Sequence, residues 1–154
     1  MAFNGTDIKC TAANSVSGVK AVTFAMKDQV NSRDILQLAS GKYISLDSSG
    51  NITSTGLTNF AATKTVIGDW TFVYATFDSI TADAIILGYR STYFSGYLDE
   101  LQLWNNTLSA GTQTDIQNAN FDQLHADYSK CLMWGSGDNP VAGDNSYKTL
   151  IESQ

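Results

Sequence analysis

The chain has 154 residues, the length of one domain with at most a short appendage. Nine Lys and Arg against fifteen Asp and Glu give a formal charge of −6 with no basic run, which excludes the clustered cations that a nucleic-acid backbone demands. Charged residues are 16% of the chain against a usual ~25%, so 16 Ser, 16 Thr, 11 Asn and 12 Gly carry the polar surface, a strand-and-turn composition that points to an all-β protein.

The first nine residues lack the charged head and apolar middle of a secretion signal. Two readings stay open: a signal already removed, or synthesis and assembly in a cytoplasm. No stretch approaches the ~20 apolar residues of a membrane span; the densest run is Ala84-Ile85-Ile86-Leu87. Cys10 and Cys131 lie near opposite ends of the chain, where a disulfide between them would close a very long loop. The alternative, two reduced cysteines half-buried in strands, is the expected one in the absence of a signal segment.

Val19 to Met26 reads as a strand. Ile35 to Ala39 and Tyr43 to Asp47 flank Ser40-Gly41-Lys42 as a hairpin, and the turn Asp47-Ser48-Ser49-Gly50-Asn51 leads into Ile52 to Thr55. Gly68-Asp69 opens the clearest strand, Trp70 to Phe77, with Trp70, Phe72 and Tyr74 on one face and Val73, Ala75 and Phe77 on the other. Apolar on both faces, it is expected to be central and covered twice. Ala82 to Gly88 and Gly96 to Asn105 complete an expected antiparallel two-sheet sandwich. One or two short helices are then expected over 110–129, with Thr112 and Asp115 as a capping box and Phe121, Leu124 and Tyr128 at helical spacing. Lys130 to Trp134 reads as a final strand, so the domain is taken as 1–134 and the loop-like 135–154 as a tail or arm. Residues 130–150 either form an outlying arm, paired with the N-terminal strand or a neighbouring subunit, or Leu132 and Trp134 finish the chain's own core.

The run Trp70-Thr71-Phe72-Val73-Tyr74-Ala75-Thr76-Phe77-Asp78, the Ile86-Leu87-Gly88 position, and the closing segment Phe94-Ser95-Gly96-Tyr97-Leu98-Asp99-Glu100-Leu101-Gln102-Leu103-Trp104-Asn105, continued to Leu108-Ser109, together resemble the laminin-G-like, concanavalin A-like lectin/glucanase jelly roll. The resemblance implies a jelly-roll sandwich with Trp70, Asp99 and Trp104 in structural roles. It implies no single activity, because that fold serves lectins, hydrolases, adhesion modules and virion components.

Glucanases of this fold use paired glutamates, one as nucleophile and one as general acid. This chain has only Glu100 and Glu152. Asp99 and Glu100 are neighbours, and on a regular strand they point to opposite faces and cannot share a substrate. His125, without a Ser or Cys partner, reads as a surface histidine. No enzyme activity is expected. The resemblance leaves calcium open as a cofactor, with Asp47, Asp138 and Asp144 as hard-oxygen candidates, although all three also suit turns.

Four aromatics and an arginine crowd into residues 88–97. Tyr89, Arg90, Tyr93 and Tyr97 are the candidate recognition surface, because Tyr and Arg anchor interfaces and flat rings suit sugar faces. The expected function is a non-catalytic assembly or adhesion module on a virion surface, a phage capsid-decoration or tail-associated protein, with itself or other virion proteins as partners. The alternative is an extracellular carbohydrate-binding module with glycans as partners.

Overall fold

A computed structural model describes residues 2–12, 15–121 and 124–135. The strands are β1 (Ala2–Asn4), β2 (Cys10–Thr11), β3 (Val16–Lys27), β4 (Arg33–Ala39), β5 (Lys42–Leu46), β6 (Ile52–Thr55), β7 (Ala61–Ile67), β8 (Trp70–Ala82), β9 (Ile86–Leu87), β10 (Ser95–Trp104) and β11 (Cys131–Gly135). One helix, α1 (Ala110–Gln117), and a 3-10 turn at Tyr128–Lys130 lie between β10 and β11. The strands make two antiparallel sheets, one ordered β1-β10-β3-β8-β7 with β11 also on β10, the other β2-β9-β4-β5-β6. The all-β sandwich expected from composition is what the chain forms.

The two-faced apolar strand explains the layering. On β8, Val73, Ala75 and Phe77 face the second sheet and join Val22, Phe24 and Met26 of β3 and Leu38 and Ile44 of the β4–β5 hairpin in the main core. Phe72 and Tyr74 face outward into a smaller core with Trp104, Leu108, Ile116, Phe121 and Cys131, which the α1 region covers. A third layer over one sheet is why a strand next to the edge needs apolar residues on both sides.

The expected short helix follows the closing strand as α1, but its cap and its continuation differ from the sequence reading. Ser109, not Thr112, is the N-cap: its backbone is extended and its hydroxyl accepts from the Thr112 N–H at 3.1 Å. Thr112 is buried and donates its own hydroxyl to Asp127. At the helical spacing of Phe121, Leu124 and Tyr128, the described residues form only the 3-10 turn at Tyr128–Lys130. Ala119 sits at φ 56°, which ends α1 and turns the chain, leaving Phe121 buried and Leu124 92% exposed. Nor is His125 a surface residue. Its side chain is 13% exposed, packs at a tilt against the Phe121 ring and lies 2.8 Å from Asp115, while its Nδ1 accepts from the Asp127 N–H.

The chain's last described strand, β11, pairs with β10 from Trp104↔Cys131 to Leu101↔Gly135. It therefore docks on the closing strand rather than on β1, which holds the other half of the same β10 edge. Both cysteines are thiols: Cys131 is buried on the outer face and Cys10 lies in the opposite sheet, so the two do not meet.

Candidate functional site

Around the aromatic segment, β9 leads through Gly88 into a tight loop closed by an antiparallel bridge between Tyr89 and Tyr93. Gly88 has φ 77°, and a Cβ there would lie 2.2 Å from the Phe3 ring, so only glycine fits. Its N–H donates to the Ile35 carbonyl and its own carbonyl accepts from the Phe94 N–H, which anchors both ends of the loop to the sandwich. Phe94 is fully buried and meets Phe3 edge-to-face at 5.9 Å between ring centres.

The loop is held from beneath by one carboxylate. Asp34, 6% exposed on β4, accepts from the Ser91 N–H at 2.8 Å, the Thr92 N–H at 2.7 Å, and the hydroxyls of Ser91 and Thr92, all at Oδ2. Its Oδ1 accepts from the Ser45 hydroxyl at 2.8 Å, and its own N–H donates to Thr92 Oγ1. Burial pushes this carboxyl's pKa up, but the backbone donors of Ser91 and Thr92 and the two serine hydroxyls outweigh that, and the net shift is below the ordinary 3.8.

Ser91 and Thr92 turn their hydroxyls to Asp34, while Arg90 is exposed and Tyr89 and Tyr93 are half-buried. The Tyr89 and Tyr93 rings lie against each other, 4.3 Å between centres at 32°. Lys9 covers the Tyr89 ring at 5.0 Å, and the exposed Arg90 lies over the Tyr43 ring at 4.2 Å. Three of the four residues singled out from sequence, Tyr89, Arg90 and Tyr93, therefore share one loop. Tyr97 is separate: it stands 43% exposed on β10, opposite Ala2 and Lys27. Sequence reading missed Tyr43, Lys9 and above all Asp34. The available signal was an aspartate beside Ile35 and Leu36 inside a strand, where an acid is out of place unless something pairs with it.

The other candidates fall elsewhere. Asp47 spends its carboxylate on its own turn, accepting from the Ser49 and Asn51 N–H groups and from Asn51 Nδ2. The Asn51 backbone donor is the main cause of its lowered pKa. Asp138 and Asp144 lie outside the described residues, among which no group of three or more His, Cys, Asp or Glu could hold a metal ion. Trp70 is half-buried, and Trp104 is fully buried in the outer core. Asp99 Oδ1 accepts from the Glu100 N–H at 2.7 Å.

The expected alternation at Asp99 and Glu100 fails for a structural reason. Against β3, Asp99 pairs with Ala25 and Gln102 with Thr23, so β10 carries one extra residue there, a bulge at which Glu100 takes φ 51°. Leu98 and Leu101 both enter the main core, so the two acids between them leave on the same outer side. No family model, curated protein or solved structure matches the chain.

Proposed function

We propose that this protein is a non-catalytic assembly or adhesion module that engages its partner through the 88–94 loop. The observation that carries the reading is the Asp34 network, which holds Tyr89, Arg90 and Tyr93 in one arrangement before any partner arrives. Preorganisation of this kind lowers the ordering cost of binding, and Tyr and Arg are the side chains that most often dominate an interface. A protein partner suits the surface better than a sugar. Stacking on a sugar needs an open ring face, whereas Lys9 and Arg90 already lie over Tyr89 and Tyr43, and Tyr89 and Tyr93 face each other. The laminin-G-like pattern of the closing strand and the charge-poor, hydroxyl-rich composition support placing such a module on a virion surface, bound to itself or to a neighbouring coat protein.

Light scattering across a concentration series tests the reading, with Arg90→Glu and Tyr93→Ala as variants. A reversible oligomer weakened by both variants is expected. A strict monomer that instead captures glycans on an array, and loses them in Tyr93→Ala, would replace this reading with the carbohydrate-binding one.

A further inference from the structure

On the outer face of the six-stranded sheet, a pocket of about 290 Å³ lies against the end of α1, away from the aromatic loop. Trp70, Phe72 and Phe121 form its aromatic wall, and the bulge brings Asp99 and Glu100 into its lining together with Gln102. Gln102 is fully buried. It leaves β10 on the side opposite Leu101 and Leu103, which enter the main core, so it faces the pocket that it lines.

Its amide stands at the end of a donor relay. An indole nitrogen can only donate, and Trp104 Nε1 donates to Thr23 Oγ1 at 3.0 Å. The Thr23 hydroxyl in turn donates to Gln102 Oε1 at 2.9 Å. Nε2 is left over, with no hydrogen-bond partner among the described residues. A purely structural network would end in a satisfied group or an apolar side chain. Here the unsatisfied donor and a non-glycine residue at positive φ, Glu100, occur in the same pocket lining.

We propose that this pocket binds one neutral, hydroxyl-bearing ring, with a ring oxygen substituent accepting from Gln102 Nε2 and the ring face against Trp70 and Phe72. The donor demands an acceptor. Asp99 and Glu100 in the lining repel an anionic acceptor such as a carboxylate or phosphate, whereas a hydroxyl accepts from the amide and can donate to a carboxylate oxygen. The volume lies at the lower end of the ~300–1,000 Å³ of small-molecule sites, room for a single ring. A sugar residue and a phenol or cyclic alcohol share this chemistry.

The test is a titration of the full chain followed by the Gln102 side-chain amide resonance and tryptophan fluorescence. The probes are methyl glucoside, phenol and cyclohexanol, with cyclohexanecarboxylate as the anionic control. At least one hydroxylated probe is expected to shift the amide signal saturably and bind more than about tenfold tighter than the control. Gln102→Leu should abolish that preference at an unchanged or higher melting temperature, with Gln102→Met as the second variant if the first fails to fold. Tyr93→Ala should leave it intact, which separates this site from the loop. Methyl glucoside as the best probe identifies a sugar source, and phenol or cyclohexanol the other. Equal binding by the Gln102 variants, or an amide that contacts only water that no probe displaces, overturns the proposal.

Discussion

Two polar side chains buried in strands of opposite sheets meet opposite fates. Asp34 is charged and surrounded: its two oxygens accept five hydrogen bonds from three residues. Gln102 is neutral and half-served: its Oε1 is used and its Nε2 is not. The first network is complete and its product is shape, a loop fixed in one conformation. The second is incomplete and its product is capacity, a donor held ready inside a pocket. Buried polar groups are costly when left unmade, so where each one's hydrogen bonds go separates a scaffold from a binding site.

Removing the carboxylate is the harshest way to break that comparison. Asp34→Ala leaves two backbone N–H groups and the hydroxyls of Ser45, Ser91 and Thr92 without their acceptor, and a loss of about 3–5 kcal/mol is expected from urea unfolding. The Tyr89–Tyr93 ring contact should vanish from NOE spectra at the same time. Acid should do the same work more gently. Because folding lowers the Asp34 pKa, its contribution is complete above the unfolded value of 3.8 and is lost as pH falls through the folded one. Stability measured from about pH 5 down to pH 2 should therefore decline, and less steeply in Asp34→Asn. Asp47 and Asp127 have lowered values too, so the difference between the two proteins is the quantity to read.

The opposite sign is expected on the other side of the molecule. Gln102→Leu removes an unsatisfied donor from a buried site and should raise stability by roughly 1 kcal/mol, measured in the same urea experiment. Such a gain would mean that the native glutamine is kept at a cost to the fold. A loss would mean that its bond to Thr23 outweighs the orphaned nitrogen, and the contrast with Asp34 would shrink to one of degree.

How much of this was legible in the sequence depends on the range of the interaction that decides each feature. Period-two alternation is local, so β3, the β4–β5 hairpin and β8 could be read directly, and the two-faced β8 even announced the outer layer. The edge strand β7 could not, because six of its seven residues are exposed and nothing alternates. Phe121, Leu124 and Tyr128 have helical spacing, but α1 stops before them at a left-handed Ala119, and the described residues there form only a 3-10 turn. The tyrosines and arginine of the loop were visible as a composition cluster. Asp34 was not, since its partners lie 11, 57 and 58 residues away. The bulge at Glu100 is likewise set by pairing with β3, and an apparently regular strand hid that Asp99 and Glu100 share a side.

The smallest effect gives the sharpest test of whether the two regions are independent. Ser109→Ala removes the N-cap of α1, whose end supplies Ile116 and Gln117 to the pocket lining, and should cost about 1 kcal/mol. Thr112 N–H then loses its acceptor, and the first turn of the helix should fray before the sheet does. Hydrogen exchange should accelerate in α1 and leave Ser91 and Thr92 protected, because sites without shared partners respond separately. Gln102→Leu combined with Ser109→Ala should accordingly be closer to additive than Gln102→Leu combined with Trp104→Phe, whose side chains are joined through Thr23. Faster exchange at Ser91 in Ser109→Ala would show that the pocket and the loop open together, and the satisfied and unsatisfied groups would then belong to a single cooperative unit.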